Sequence, residues 1–443
     1  MIPRLSDATW SGPGYDRAQV RGGVVHLGLG AFHRAHQTPV FDSLISSGDA
    51  RWGVTAVATR SVGLAKTLAA QDGLYSLSVR DRDTASIAVI GAIRAVLLAA
   101  GEPEAAIAAL AHEDAHLVTL TVTEKGYLDH GPAGPAGLIA RGMERRRTSG
   151  LAPLTVMSCD NRAGNGHAAR AAVLAAGAQA RIGDAGLAWI AESAAFPSSM
   201  VDRITPTPTP AMIDDNSGRL GLRDEAALWT EPFWQWVVED RFAGARPDLA
   251  RAGVKVVADV APWEAAKLRL LNAAHSALAY LGLLKGFGFI HEAMGDAELA
   301  PLVGRLWDEA ATTLDTRSID VGAYCAALRG RFDNPALPHA LAQIAADGSQ
   351  KLPPRILAGM AERARCDLSS PALATAVAAW AHALATLDEI ADPMIHRLRL
   401  IARARGPAEP VVRKLLEAID AATPPRLAAE IGLALDRLRL GHY

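Results

Sequence analysis

The alternation of apolar and polar positions divides the chain into two parts that differ in their predicted secondary structure. In the first part, short apolar runs predict strands, and these are Val24–Leu27, Trp52–Ala58, Leu74–Val79, Ile87–Ile90, His116–Val122, Leu154–Cys159 and Leu187–Ala194. Segments of helical spacing separate them, namely His33–Ser47, Ser61–Gln71, Pro103–His112, Leu138–Arg147 and Gly164–Ala178. Strands that alternate with helices in this way indicate βαβ units and a parallel sheet. Leu74–Val79 and Ile87–Ile90 predict an inserted hairpin or meander.

The pattern changes after Pro247, because alanine and leucine recur at helical spacing and no convincing strand follows Val257. The run Thr205–Pro210, together with the Asp, Asn, Ser and Gly residues after it, predicts an irregular loop. We therefore expect an α/β domain over residues 1–245 and an all-α domain over residues 246–443.

The segment Pro262–Gly286 is the most informative of the second part, and its leucine spacing predicts one helix. Pro262 suits the first helical position because its missing N–H would be unpaired there, and Gly286 is a typical stop. Three polar side chains, Lys267, Asn272 and His275, interrupt the apolar stripe. Polar groups on so apolar a helix must find partners or line a cavity.

Composition excludes several classes of protein. The chain has 443 residues, enough for two domains, with 50% hydrophobic residues and a net charge of −2. This balance argues against disorder and against a nucleic-acid binder, which usually has a basic stripe. The 3 cysteines form neither a disulfide framework nor a Cys-x-x-Cys metal motif, which favours a cytoplasmic location. The N-terminus lacks a signal-peptide core, and no uninterrupted apolar run of about 18 residues predicts a membrane span.

The segment Gly28-Leu29-Gly30-Ala31-Phe32 follows a predicted strand and leads into a predicted helix. This is the context of a dinucleotide-binding turn, in which glycine lets the backbone approach a pyrophosphate and the helix N-terminus supplies N–H groups. His33 replaces the third glycine of the G-x-G-x-x-G pattern, so an ordinary strand–helix turn remains an alternative.

The acid that commonly binds the ribose of NAD is missing at the end of the second predicted strand. That position reads Thr59-Arg60-Ser61. Arg60 can meet a 2′-phosphate, stack on adenine or simply remain solvated. NAD and NADP therefore both stay open as cofactors.

Further polar residues lie at the carboxyl ends of predicted strands, where α/β sheets bind ligands. Thr123 follows one of these strands, and Asp160 and Asn161 follow the next. Asn161 offers an amide N–H that suits a carbonyl or alkoxide oxygen, but Asp160 or Asn161 can equally cap the helix that follows. Asp202 and Arg203, taken by themselves, indicate a loop ion pair.

Lys267 is a candidate for the proton-transfer group of a dehydrogenase. A lysine can move a proton to or from an alcohol oxygen if burial and nearby positive charge lower its pKa. In an ideal α-helix Asn272 and His275 share a face, whereas Lys267 lies about 140° from Asn272 and about 80° from His275. Spacing alone does not bring the three together unless the flexible lysine closes the gap. The alternative is a snorkelling Lys267 beside buried, hydrogen-bonded Asn272 and His275.

Taken together, these segments resemble the polyol-specific long-chain dehydrogenases, the family of mannitol dehydrogenase and fructuronate (mannonate) reductase. The resemblance extends from about Gly22 to at least Arg355. The segments that match are Gly28–Gln37, Thr123–Tyr127, Ser158–Asn161, Phe196–Arg203, Trp263–His275 and Asp347–Pro353.

The resemblance implies an α/β Rossmann-type N-terminal domain that binds the cofactor and an all-α C-terminal domain, with a zinc-independent active site in the cleft between them. By matched position it implies that Lys267 is the general base in oxidation and the general acid in reduction. It also implies that Asn161 and Asn272 stabilise the developing alkoxide and that His275 helps to position the substrate.

The resemblance also locates the substrate-binding residues. Val201 and Asp202 fall where the family contacts substrate hydroxyls. Lys351 and Arg355 are cationic and can meet the carboxylate of a sugar acid, or they can be surface charges.

The segments Asp347–Arg355 and Trp263–Asn272 look closer to fructuronate reductases than to polyol dehydrogenases. The resemblance therefore implies an NAD-dependent enzyme that interconverts D-mannonate and D-fructuronate, with NADP not excluded. The alternatives are mannitol 2-dehydrogenase or a related arabinitol or sorbitol dehydrogenase and, in another class, a non-catalytic nucleotide-binding sensor. We expect a sugar acid or sugar alcohol as the partner, with no nucleic acid, membrane or metal, and a monomer or small homo-oligomer.

Overall fold

The computed structural model describes residues 2–12, 14–421 and 424–442, and for residues 124 and 125 it describes the backbone only. The chain divides into two compact units, of which unit 1 ends at Ala261 and unit 2 begins at Pro262.

The strands all belong to unit 1. They are β1 (Val24–Leu27), β2 (Val54–Ala58), β3 (Tyr75–Arg80), β4 (Ala85–Ile90), β5 (Ile93–Leu98), β6 (Leu117–Leu120), β7 (Thr155–Ser158), β8 (Ser199–Asp202), β9 (Leu228–Thr230), β10 (Gln235–Glu239) and β11 (Lys255–Val257). The helices of unit 1 are α1 (Ala31–His36), α2 (Thr38–Ser46), α3 (Val62–Ala70), α4 (Pro103–Leu110), α5 (Thr123–Leu128), α6 (Pro135–Thr148), α7 (Asn165–Gln179), α8 (Asp184–Ser193) and α9 (Pro210–Leu220). Short 3₁₀ turns lie at Arg17–Gln19 and Ala250–Ala252.

The central sheet of unit 1 is parallel and has the strand order β5-β2-β1-β6-β7. Along β1, Val24 belongs to one hydrophobic core and Val25 to another, because successive side chains point to opposite faces. The sheet is therefore covered on both faces, as parallel sheets are. The strand order reverses between β1 and β6, and ligands bind at the carboxyl ends of the strands next to such a reversal. The predicted α/β fold is confirmed.

Two smaller sheets complete unit 1. In one, β3 pairs antiparallel with β4 and parallel with β9, which confirms the predicted hairpin. In the other, β10 pairs antiparallel with β8 and parallel with β11. Because β11 is tied to this sheet, unit 1 extends past the predicted boundary at residue 245 and ends at residue 261.

Three predicted elements of unit 1 differ in the structure. The run Leu187–Ala194 was predicted as a strand but lies in α8, where the buried Gly186 and Ile190 are spaced at one helical turn. The stretch after Pro210 was predicted as loop but forms α9, because Thr209 caps the backbone N–H of Met212 and Pro210 suits the first turn. The helix predicted over His33–Ser47 is divided into α1 and α2 at Gln37.

Unit 2 is helical, and no strand occurs among its described residues, as predicted. Its helices are α10 (Ala261–Ala266), α11 (Ala273–Leu284), α12 (Ile290–Met294), α13 (Leu299–Ala311), α14 (Val321–Phe332), α15 (Leu341–Ala345), α16 (Gly348–Leu352), α17 (Ala358–Arg365), α18 (Pro371–Thr386), α19 (Ile395–Ala402), α20 (Ala408–Ala418) and α21 (Pro425–Arg439). Two π-helical segments, Lys267–Asn272 and Pro353–Leu357, interrupt the α-helical backbone. Every residue of α11 from Ala273 to Gly282 is buried, and α11 packs against α12, α13, α15 and α18. In the part of the chain that the structure describes, no helix is long and apolar enough to cross a membrane.

Candidate active site

The glycine turn follows β1 directly. Gly28 has φ +106°, a conformation that favours glycine, and a Cβ there would lie 2.2 Å from the backbone oxygen of Thr121. Gly30 is the N-cap of α1 and has no side chain to occupy the first N–H groups of the helix. Ala31 and Phe32 form the first turn of α1. The backbone of this turn is therefore open to a ligand, as a pyrophosphate-binding turn requires.

His33 occupies the position of the third glycine of the fingerprint, and its ring stacks flat against that of His26 on β1. The two ring centroids are 3.2 Å apart with an interplanar angle of 4°. His26 contacts the hydroxyls of Thr119 and Thr121, and His33 contacts that of Thr38. Burial lowers the pKa of His26 to about 3 and that of His33 well below its usual value, so both rings are neutral. Helix α1 is thus held to the strand by stacked imidazoles instead of by close glycine packing.

A cleft of about 450 Å³ opens at the carboxyl ends of β1, β2, β5 and β6. Its volume is within the range of small-molecule sites. Among the predicted cofactor-binding residues, those that line it are Gly28, Leu29, Gly30, Arg60 and Thr123. Thr59 and Ser61 line it beside Arg60, so no carboxylate follows β2 in this wall.

The Asp160 carboxylate binds groups that form the cleft wall and does not cap the helix that follows. Its carboxylate accepts the backbone N–H groups of Val122 and Thr123 at 3.2 and 2.8 Å and the hydroxyl of Tyr127 at 2.8 Å. These bonds hold Thr123 at φ +65°, which is unusual for a β-branched residue. Burial raises the pKa of Asp160 even so. The N-cap of α7 is Gly164, and Asn161 follows β7 at the same edge of the sheet.

Val201 and Asp202 lie on β8, with exposures of only 3% and 5%. They pair with Trp236 and Gln235 of β10, so both belong to one of the smaller sheets of unit 1. Asp202 and Arg203 were predicted to lie in a loop, but Asp202 is the last residue of β8. The Arg203 guanidinium donates to the backbone oxygens of Ala35 and Glu231, and burial lowers its pKa to about 10.

The predicted single helix of unit 2 contains a π segment at the residues of interest. The N–H of Ala273 donates to the oxygen of Leu268, five residues earlier. An i→i+5 pattern aligns residues five apart along the helix. Lys267 and Asn272 are therefore closer to one face than the ideal α-helical angle suggests. Such π turns are frequent at functional sites.

Donors from neighbouring helices bind the π segment at its carbonyl groups. The indole N–H of Trp307 donates to the oxygen of Leu270 at 3.1 Å. The Arg355 guanidinium, which lies on the second π segment, donates to the oxygen of Asn272 at 3.4 Å and to the hydroxyl of Ser276 at 3.2 Å. These bonds satisfy carbonyls that an irregular helix leaves poorly paired.

An ion pair holds the π segment from another side. The Arg269 guanidinium binds both carboxylate oxygens of Glu362, at 2.6 and 2.5 Å. It also donates to the backbone oxygen of Thr313 at 2.8 Å. A bidentate pair of this kind fixes orientation as well as position.

His275 is buried in α11 and surrounded by positive charge. Its ring lies 4.7 Å from that of Phe332 and 5.5 Å from that of His339, centroid to centroid. Its Nε2 is buried and has no hydrogen-bond partner among the described residues. Its pKa is well below the usual value, first because of burial and then because of His339, Arg331, Arg355 and Lys267. The neutral ring can position a ligand but does not add charge.

Local packing explains which residues occur at the start of the motif Asp347–Arg355. Asp347 has φ +59°, and a Cβ at Gly348 would lie 2.3 Å from the Tyr280 hydroxyl. Ser349 donates its N–H and its hydroxyl to the Asp392 carboxylate. These contacts fix the start of α16, whose fourth residue is Lys351. No motif in the sequence points to Asp392, because it lies far along the chain from the segment that it binds.

Among the described residues, the polar contacts of the Lys351 ammonium are long. It lies 3.4 Å from the oxygen of Ile344 and 3.9 Å from Asp347 Oδ2. Burial, and next the charge of Arg355, lower its pKa. A carboxylate ligand would relieve both effects. In the described part of the chain, no group of three His, Cys, Asp or Glu side chains is arranged as a metal site.

Two family models cover most of the chain. Residues 22–251 match the mannitol dehydrogenase Rossmann domain, and residues 259–435 match the mannitol dehydrogenase C-terminal domain. The chain belongs to the mannitol dehydrogenase family. It is thus an oxidoreductase of that family with a Rossmann domain and a helical C-terminal domain, which confirms the resemblance drawn from the motifs.

Members of the mannitol dehydrogenase family with different substrates are about equally similar to this chain. It is 37% identical to the D-mannonate oxidoreductase of Escherichia coli K12, over 88% of this chain and 86% of the relative. It is also 37% identical to the mannitol 2-dehydrogenase of Phaeosphaeria nodorum, over 96% of this chain and 81% of the relative. The solved structure of Pseudomonas fluorescens mannitol 2-dehydrogenase with NAD and D-mannitol matches with a TM-score of 0.84 and 32% identity, over 98% of this chain and 97% of that one.

Proposed function

We propose that the chain is a fructuronate reductase, which catalyses D-mannonate + NAD = D-fructuronate + NADH. The observation that supports an acidic sugar best is the positive charge around His275. Arg331, Arg355 and Lys267 all lower the pKa of His275, and Lys351 is half-buried nearby on α16. These cationic side chains favour an anionic ligand over a neutral sugar.

NAD is the proposed cofactor, because the mannitol 2-dehydrogenase of known structure binds it and the cleft of unit 1 has the right turn. Gly28, Leu29 and Gly30 would meet the pyrophosphate, followed by Ala31 and Phe32 at the helix start. Thr123 would line the opposite wall, and Arg60 would lie beside the adenosine ribose. With Arg60 in this place, NADP remains a cofactor to be tested. The bound nicotinamide supplies or accepts the hydride.

Lys267 and two asparagines would supply the proton and stabilise the oxyanion. In reduction, the Lys267 ammonium gives a proton to the carbonyl oxygen as the hydride reaches the carbon, and in oxidation the neutral amine takes it back. The amides of Asn161 and Asn272 donate to the developing alkoxide. His275 positions the substrate.

The remaining proposed contacts select the substrate. Val201 and Asp202 would meet its hydroxyl groups, and Lys351 or Arg355 would meet its carboxylate. Arg355 already uses one nitrogen on Asn272 and Ser276, so Lys351 has the freer donors. We further propose that catalysis is independent of zinc, that the enzyme works in the cytoplasm and that it is a monomer or small homo-oligomer.

A mannitol 2-dehydrogenase, or a related sorbitol or arabinitol dehydrogenase, is the second candidate. The coverage of the Phaeosphaeria nodorum and Pseudomonas fluorescens enzymes favours it. A non-catalytic nucleotide sensor is disfavoured, because it would not need the Lys267, Asn272 and His275 set.

A substrate panel separates the candidates. D-fructuronate and D-fructose are reduced with NADH and with NADPH by the wild type and by Lys351→Met, which removes the charge at similar length. We expect kcat/KM for fructuronate to exceed that for fructose by about 100-fold, with most of this preference lost in Lys351→Met, because charged hydrogen bonds contribute about 1.5–3 kcal/mol. Equal rates on the two sugars would contradict the proposal that Lys351 binds the substrate carboxylate.

A further inference from the structure

His339 lies between α14 and α15, and no motif in the sequence points to it. Its backbone is held in place, because its oxygen accepts the N–H of Ile290 at 3.0 Å. The next residue, Ala340, forms an isolated antiparallel bridge with Phe289. The position of the imidazole therefore does not depend on a mobile loop.

The side chain of His339 reaches the residues proposed to bind substrate. Its ring stands at 85° to that of His275, with 5.5 Å between the centroids. Its Nδ1 is buried and, within the described residues, has no hydrogen-bond partner, and the same is true of His275 Nε2. Buried polar atoms without partners are costly unless a ligand or water meets them. Two of them on touching rings indicate a ligand-binding surface.

The charge around His339 fits an acidic ligand. Its pKa is lowered by burial and then by the Lys351 ammonium, so the ring is neutral and can donate one N–H. Lys351 would contribute charge, which has little directionality, whereas an imidazole N–H has a defined direction. The two groups together can fix both the charge and the orientation of a carboxylate.

We propose that His339 is a specificity residue that donates its Nδ1–H to the carboxylate end of the sugar acid, beside Lys351. This inference depends on the proposed function, because it names the group that reads the acidic end of that substrate.

The test compares two isosteric variants. The amide N–H of His339→Asn can replace Nδ1–H, whereas that of His339→Gln lies near the Nε2 position. We expect His339→Gln to raise KM for fructuronate about 10- to 100-fold with kcat within about threefold, and His339→Asn to recover most of the loss. KM for fructose should change by less than about twofold in both. His291→Asn is the matched control, because His291 also has a buried Nδ1 without a described partner but stacks on Phe289.

The outcomes keep the two proposals apart. A wild type that reduces fructose but not fructuronate refutes the proposed function. A wild type that prefers fructuronate while both His339 variants keep its KM overturns the inference alone. Equal losses on fructuronate and fructose, or equal losses in the Asn and Gln variants, would show a structural role and also overturn it. NADH titration by fluorescence verifies that each variant is folded.

Discussion

Lys267 and Asn272 show how far a single residue's role depends on its local backbone. The sequence shows both residues as polar interruptions of an apolar helix, but it does not show that they lie near the same face of that helix. The π turn aligns residues five apart, and His275 follows in the regular part of the helix. His339 is the contrasting case, since it lies outside every motif and is recognised only through its contact with His275.

Replacing the lysine tests the proton-transfer role directly. We expect Lys267→Ala to lower kcat by about 10²- to 10⁴-fold, the usual contribution of a general acid or base. The dissociation constant of NADH, measured by fluorescence titration, should stay within about twofold.

Lys285→Ala is the control for this substitution. Lys285 ends the same helical stretch and is ion-paired with Asp296 and Glu298. A Lys267→Ala enzyme as active as the Lys285→Ala enzyme would remove Lys267 from the mechanism.

At the scale of elements, the π segment Lys267–Asn272 is stabilised from outside. Trp307, Arg355 and Glu362 each belong to another element, and each bonds a backbone oxygen or side chain of the segment. A helix with an irregular turn satisfies its carbonyls only if such partners are present. The irregular backbone is thus a property of the packed unit.

Two tryptophan substitutions can measure how much an outside hydrogen bond stabilises the π segment. Trp307→Phe removes the N–H that binds the oxygen of Leu270, whereas Trp380→Phe removes an N–H without a partner among the described residues. Both changes shrink a buried ring, so the difference between them reports the hydrogen bond. We expect Trp307→Phe to lower the free energy of unfolding in urea by about 1 kcal/mol more than Trp380→Phe. Equal losses would mean that the bond does not stabilise the segment.

At the scale of the whole molecule, the chain combines a Rossmann unit with a helical unit that bears the lysine. The groups of unit 2 that are proposed to bind substrate are cationic or imidazole side chains, such as Lys351 and His275. In the proposed mechanism Lys267 takes the place in proton transfer that a metal-bound water has in zinc enzymes.

Chelation tests that assignment. We expect activity to stay within about twofold after prolonged treatment with EDTA and desalting, because the proposed mechanism assigns the acid–base and oxyanion roles to Lys267 and the two asparagines. The assay follows NADH oxidation at 340 nm before and after treatment, with a known zinc dehydrogenase in parallel as a positive control. Inactivation that zinc reverses would contradict a lysine-only mechanism.

The sequence by itself determined the α/β and all-α division, the glycine turn and the presence of three polar side chains, Lys267, Asn272 and His275, in an apolar helical segment. These features are local, because periodicity, turn glycines and polar interruptions are written in neighbouring residues. Tertiary structure decided the rest. The apolar run Leu187–Ala194 predicted a strand, but Asp184–Ser193 forms a helix. The helix buries residues one turn apart against the rest of the unit, and this packing outweighs the local hydrophobicity of the run. The role of Asp160, the π turn and the pairing of His339 with His275 all depend on groups distant in sequence, which no local pattern encodes.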